Sequence, residues 1–292
     1  MKLRGQPAFN ESGGARAAGD SEPGLMPERE TSPGQSATAG EAADSALLFE
    51  GISKSFGGIS VLSEVSLSVL PGEFVSIIGP SGCGKSTLLN LCSGLTTADV
   101  GTTHFQGSPV TRINTRVGYV PQDATLFPWL TVRENVGLSL AIKRVSKKER
   151  EKRVGTWISM VGLEGFENHY PRQLSGGMQK RCSIARTMIY EPDVVLLDEP
   201  FGPLDALTRL ALQSELLNIW RQTGTTFVFV THDLNEAISL STKIVVMSRR
   251  PGRIRAVVPV ELEEPRDIYQ ITESQEFARL HGELWEYVRA EL

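Results

Sequence analysis

The chain has 292 residues, 40% of them hydrophobic and 22% charged, with a formal net charge of −4. That is enough apolar material for a sizeable core in one or two domains, without the basic field that nucleic-acid binding needs. No run approaches the ~18 apolar residues of a membrane-spanning helix, so work at a membrane requires a partner that holds the chain there.

The three cysteines, Cys83, Cys92 and Cys182, form no CxxC pair and no even-numbered framework, which fits a reducing compartment. Lys2 and Arg4 are followed by Gln6, Pro7, Asn10 and Glu11, where a signal peptide needs an apolar run. Residues 1–45 hold seven Gly and four Pro, and no Val, Ile, Tyr or Trp. Such a segment buries too little apolar area to offset its ordering, which predicts a disordered tail.

Order is expected from Ala46 onward. Leu47–Phe56 and 61–69 read as short strands, with turns at Gly57-Gly58 and Pro71-Gly72. Phe74–Ile78 is an apolar strand that runs into a glycine-rich loop and then a helix over 87–92. Further buried strands are expected at 115–120, 194–197, 227–230 and 244–247. Helical patterns alternate with them, which argues for an α/β fold with a parallel sheet covered on its faces. Between Val132 and Met188 the pattern is mostly helical, a subdomain spanning about 130–190, and its charged run 143–153 reads as a solvated helix face. Past Pro251 the signal weakens, and 251–292 reads as a short extension with one or two helices in 268–292.

Gly79, Pro80, Ser81, Gly82, Cys83, Gly84, Lys85, Ser86 and Thr87 match GxxxxGK[ST] between a strand and a helix. Glycines there let backbone amides converge on phosphate oxygens, and the following helix points its positive end at the same anion. In that arrangement Lys85 bridges the β- and γ-phosphates of a nucleotide and Ser86 ligates Mg²⁺. The run 194–199 is an apolar strand ending in two carboxylates. Asp198 is placed to hold Mg²⁺ through water and Glu199 to polarise the attacking water. Ser175, Gly176 and Gly177 open a helical pattern at 179–189, with Ser175 as N-cap and bare amides behind it. Read alone, this is an ordinary helix cap. Beside a phosphate loop it is a second anion cradle lacking a lysine, and two half-sites on one chain are most simply completed in a dimer.

At these three motifs together, the sequence over 46–250 resembles the ABC ATPase family, with Walker A, the LSGGQ-type motif and Walker B. The resemblance implies a P-loop NTPase fold: a RecA-like parallel-sheet core, a small antiparallel β subdomain and a helical subdomain. It also implies further roles. Gln122 matches the Q-loop glutamine that senses Mg²⁺ and the γ-phosphate, and His232 the switch histidine that contacts that phosphate. Asp205 matches the D-loop aspartate that touches the opposite subunit. Phe56 lies where the family stacks an aromatic on adenine, although an aromatic in a strand is usually core. Met178 and Pro203 depart from the commonest residues at their positions.

Within the family, 121–135, 198–209 and 248–254 resemble importer ATPases for sulfonates, taurine and nitrate. The resemblance implies a homodimer closing on two ATPs at the cytoplasmic side of the inner membrane. It further implies integral permease subunits, an extracytoplasmic solute-binding protein acting indirectly, and no nucleic acid. Phe127 and Trp129 are candidates for the permease contact, with a place in the subdomain core as the alternative. Cys83, beside Lys85 and a helix N-terminus, is expected to have a lowered pKa and a reactive thiol, while Cys92 and Cys182 read as core.

Overall fold

The computed structural model describes residues 44–291, so the tail expected at 1–45 lies almost wholly outside the described residues. Two sheets carry the fold. The first is antiparallel, in the order β2-β1-β4-β5, built from β1 (Leu47–Phe56), β2 (Ile59–Val69), β4 (Val100–Phe105) and β5 (Ser108–Pro109). The second runs β10-β9-β3-β8-β7-β6, from β3 (Phe74–Ile78), β6 (Val117–Val120), β7 (Val194–Asp198), β8 (Thr226–Val230), β9 (Lys243–Met247) and β10 (Ile254–Pro259). Its central five strands are parallel, and β10 closes one edge antiparallel to β9.

The parallel strands read as continuous apolar runs because both faces are covered. In β8, Phe227 and Phe229 face one way and Val228 and Val230 the other, and each pair enters a different core. The first core lies against α2 (Val132–Ile142), α3 (Lys147–Met160), α4 (Gly176–Met188) and α5 (Ala206–Thr223). The second lies between the parallel sheet, the antiparallel sheet and α1 (Lys85–Ser93). Helix starts follow the capping chemistry of the sequence. Thr131 and Glu134 close a capping box at α2, and Ser146, Ser175 and Asp205 cap α3, α4 and α5.

Two expected strands, Leu47–Phe56 and Phe74–Ile78, appear with their expected bounds, and the others with shifted ends. The one expected at 115–120 begins only at Val117, because Asn114 turns the chain there by accepting the Arg116 amide through its side chain and that of Val117 through its carbonyl. The charged run 143–153 is split between the end of α2 and the start of α3. It is exposed except at Val145, Arg150 and Arg153, the last of which donates to the Ile189 carbonyl and pairs with Glu191. Strands β4 and β10 were not foreseen. Strand β4 lies between β1 and the two-residue β5, and β10 closes its sheet edge as an antiparallel neighbour of β9, the strand just before it in the chain.

The segment 251–292 does not stand off from the sheet domain. Strand β10 is followed by α6's neighbour α7 (Gln275–Arg289), where α6 is Leu234–Leu240. Phe277, Leu280 and Leu284 of α7 join Ile78, Ile238, Ile244 and Val246 in a third core. The one or two helices expected in 268–292 are a single 3-10 turn, Ile271–Glu273, and the longer α7, capped by Ser274. Because Leu280 is fully buried, Leu280→Ala is expected to lower the unfolding free energy by about 2–5 kcal/mol, read from urea titration. A loss below about 0.5 kcal/mol, the usual range for surface substitutions, would mean that α7 contributes no core.

Candidate functional site

The five parallel strands end on one edge of the sheet, and the loops leaving them converge there, as ligand-binding loops of such sheets do. From β3 the chain enters Gly79–Gly84 and then α1. Gly84, the N-cap of α1, has φ 108°, and a Cβ there would lie 2.5 Å from Leu62 Cδ2, so the loop passes β2 only as bare backbone. Ser81 and Gly82 are exposed, Gly79, Pro80 and Thr87 half-buried. Lys85 is buried at 6% exposure, and its ammonium donates to the carbonyls of Gly79 (2.8 Å) and Pro80 (3.1 Å). Lysine and loop amides thus enclose one small space.

Two carboxylates border it. Ser86 Oγ donates to Asp198 Oδ1 at 3.1 Å, and the Tyr119 hydroxyl donates to Asp198 Oδ2 at 3.1 Å. Burial and the Asp198 charge push the Tyr119 phenol up, keeping it a donor. Glu199 follows immediately with φ 42°, a left-handed backbone that costs on the order of 1–3 kcal/mol in a non-glycine residue. That turn breaks the strand alternation which would send adjacent side chains to opposite faces. Glu199 Oε2 lies 3.3 Å from His232 Nδ1, and the Glu199 amide is held by the Val230 carbonyl at 3.0 Å. Gln122, exposed beyond β6, places its amide nitrogen 3.8 Å from where a Gly202 Cβ would stand, beside the turn that follows Glu199.

The other motif residues stand apart. Ser175 Oγ accepts the Met178 amide at 3.3 Å, and Ser175 and Gly176 present an exposed helix start. Among the described residues no hydrogen bond joins them to Gly79–Thr87. Asp205 accepts the Thr208 amide at 3.0 Å, and these bonds hold its exposed carboxyl below the usual range. Phe56 is 49% exposed at the end of β1, with the Lys54 ammonium 5.2 Å from its ring centroid. It is therefore not a core aromatic. Met178 packs its partly buried side chain on the first core.

Three contributors escaped the sequence reading. Tyr119 is one. Arg250 is another, since its guanidinium donates through Nε and Nη2 to the Gly82 carbonyl, 168 residues away. Two residues on, a Cβ at Gly252 would lie 2.1 Å from the Cys83 carbonyl, so this segment lies directly on the loop. The third is Lys180, 2% exposed, which donates to the carbonyls of Pro121 (2.8 Å) and Gln122 (2.7 Å). Burial pulls its pKa down to about 8 against the charges of Asp123 and Asp198. One signal for it was legible: Lys180 shares a helix face with the buried Ile184 and Met188.

A family model described as ABC transporter matches residues 62–202. An aliphatic sulfonates import ATP-binding protein of Bacillus cereus is 47% identical over 214 residues, 73% of this chain and 84% of the relative. The chain belongs to the ABC transporter ATP-binding family. A further member, an uncharacterized ABC transporter ATP-binding protein of Methanocaldococcus jannaschii, is 48% identical over 209 residues, 72% of this chain and 78% of the relative. Among solved structures, a dimeric ATP-binding cassette in a post-hydrolysis state bound to ADP and Pi is 34% identical. It superposes with a TM-score of 0.66, covering 74% of this chain and 100% of that one. The chain is an ATP-hydrolysing enzyme with the fold of these cassettes.

The expectation of a reactive Cys83 is overturned. The residue is 1% exposed, roofed by Gly252 and walled by β9, and burial raises its thiol pKa by more than Lys85 lowers it. The helix N-terminus and lysine were read correctly, but desolvation of the thiolate outweighs them. Cys92 and Cys182 are buried as expected. N-ethylmaleimide is therefore expected to leave all three cysteines unmodified in the folded protein and to label them in urea, as read by mass spectrometry. Rapid labelling of Cys83 in the native protein, suppressed by ATP, would reinstate the exposed thiol.

Proposed function

We propose that this chain energises an importer for a small anion of the sulfonate, taurine or nitrate class, as a homodimer bound to permease subunits on the cytoplasmic membrane face. The observation that carries the catalytic part is the pairing of Ser86 with Asp198 at 3.1 Å and of Glu199 with His232 at 3.3 Å around one lysine. Loop amides and Lys85 bind the nucleotide phosphates, the ammonium exchanging the carbonyls of Gly79 and Pro80 for phosphate oxygens. Phe56, already exposed, takes the adenine ring. A hydroxyl and a carboxylate oxygen at this spacing suit a hard cation that keeps water and phosphate ligands, so Ser86, Asp198 and Gln122 would hold Mg²⁺. Bound there, Mg²⁺ supplies neutralisation of phosphate charge.

Glu199 orients the attacking water and takes up its proton. His232, on the adjoining strand end, keeps that carboxylate aimed and contacts the γ-phosphate. Catalysis of this kind is positioning and charge stabilisation more than covalent chemistry. The Ser175–Gly177 cradle serves the ATP of the second subunit, with Asp205 at the same interface. The dimeric state of the similar cassette supports this arrangement.

The importer reading is supported by the aliphatic sulfonate import for which the Bacillus cereus relative is named. It is also supported by two exposed aromatics, Phe127 at 37% and Trp129 at 70%, whose ring centroids lie 5.6 Å apart. A fully buried Asn135 pins the loop that carries them, accepting the Phe127 amide and donating to the carbonyls of Phe127, Leu130 and Thr131. A preorganised aromatic pair on a subdomain surface is the kind of anchor that dominates interfaces, and we assign it to the permease.

Glu199→Gln keeps the side-chain shape and removes its basicity. Hydrolysis is expected to fall at least about a hundredfold while ATP still binds and a dimer accumulates with ATP on gel filtration; wild-type turnover would sink the assignment of Glu199. For the solute, deletion of the gene is expected to abolish growth on sulfonates, taurine or nitrate as sole sulfur or nitrogen source. Normal growth on all of these, with failure on a sugar, amino acid or metal, would overturn the solute class and leave the ATPase untouched.

A further inference from the structure

Helix α4 begins at the Ser175–Gly177 cradle and, four residues after Gly176, buries the charged side chain of Lys180. A buried ammonium is tolerated only where hydrogen bonds replace its lost water. The bonds here are the main-chain carbonyls of Pro121 and Gln122 at 2.8 and 2.7 Å. The same helix holds the rest of the segment, since Arg186 donates to the carbonyls of Thr125 (3.0 Å) and Ala124 (3.5 Å). The backbone of 121–125 is thus fastened to α4 rather than to the sheet from which it emerges. By the helix rise, Lys180 lies only about 6 Å along the axis from Gly176, less than two rigid turns from the cradle.

We propose that Lys180 is a positioning residue that acts through Gln122, tying the glutamine beside the chain's own nucleotide to the cradle that faces the nucleotide of the second subunit. The proposal rests on the roles given above to Gln122 and to Ser175–Gly177. Gln122 is exposed, so the main-chain position from which its side chain reaches out sets its aim, and Lys180 holds that main chain through the Gln122 carbonyl. A shift of Gln122 on meeting phosphate pulls the start of α4, and a shift of the cradle on meeting the partner's phosphate pulls Gln122. An apolar side chain at position 180 would fill the same space and break both transmissions, while leaving intact the phosphate loop, with which Lys180 shares no hydrogen bond.

The test uses the full chain with K180M, K180R, Q122A and the K180M/Q122A double variant. It measures kcat, KM and the Hill coefficient for MgATP, together with affinity for a fluorescent ATP analogue. K180M is expected to lower kcat about tenfold, within the range of energetic couplings between sites. Its Hill coefficient should move toward one, with analogue affinity unchanged, and K180R should restore most of the rate. In the double variant, kcat is expected to match that of Q122A alone, because the lysine acts only through that residue. Should K180M fold poorly by circular dichroism, K180Q, which keeps two donors on a shorter, uncharged side chain, takes its place with an intermediate rate expected. Multiplying effects of the two substitutions, or parallel loss of kcat and analogue affinity, would overturn the link. Unimpaired K180M beside impaired Q122A overturns the link alone, whereas wild-type turnover in Q122A overturns the reading of Gln122 and the link with it.

Discussion

The site depends on a length of backbone that must run through a gap with no room for side chains. At Gly84 the chain brushes Leu62 of β2, and at Cys83 its carbonyl lies under Gly252 of the segment after β9. These walls come from both sheets, so the phosphate loop keeps its shape only while the antiparallel sheet, the parallel sheet and the 248–253 turn are all in place. The Arg250 guanidinium completes the enclosure by capping the Gly82 carbonyl from outside. A loop held in this way presents its amides without reorganising, which is the form of electrostatic stabilisation that costs least at the moment of reaction.

The parallel register of the sheet explains why the reacting groups meet. With β3, β7, β8 and β9 side by side and pointing the same way, residues far apart in sequence leave the sheet at one level. Ser86 and Asp198 are 112 residues apart and share a hydrogen bond. The left-handed backbone at Glu199 then lets its carboxylate meet His232, so that two consecutive acidic residues border one site. Behind them, Arg209 at the start of α5 donates to the Leu204 carbonyl and lies within ion-pair distance of Asp233 and Glu236 of the His232 loop. The turn bearing Asp205 and the turn bearing His232 are therefore joined by one side chain.

The helical subdomain adds a second mechanical layer. Its helix α4 carries the exposed cradle at one end and grips the 121–125 segment along its length. The same segment continues into the loop that Asn135 holds rigid, with Phe127 lying under the Arg186 guanidinium at 5.8 Å. Gln122 and the aromatic pair are thus built on one piece of chain, fastened largely by hydrogen bonds to its main-chain carbonyls.

Local chemistry was legible in the sequence wherever it depends on neighbours in the chain. The glycine-rich turn between β3 and α1, the strands Leu47–Phe56 and Phe74–Ile78, the Ser175 cap and the acidic strand end all follow from spacing, propensity and capping. What the tertiary structure alone decided is burial and the company of distant residues. The same helix N-terminus and lysine that make a thiol acidic on an open surface are overruled at Cys83 by a roof 169 positions along the chain at Gly252. Strands β4 and β10 take their order from pairing with β1 and β9, and the amphipathic α7 becomes part of a core only where its apolar face meets α6. Lys180 reads as one more charge in a helix until the carbonyls of Pro121 and Gln122, brought to it across 59 and 58 residues, show where that charge is spent. A pattern in sequence reports the period of an element; desolvation and long-range pairing belong to the space that the folded chain encloses.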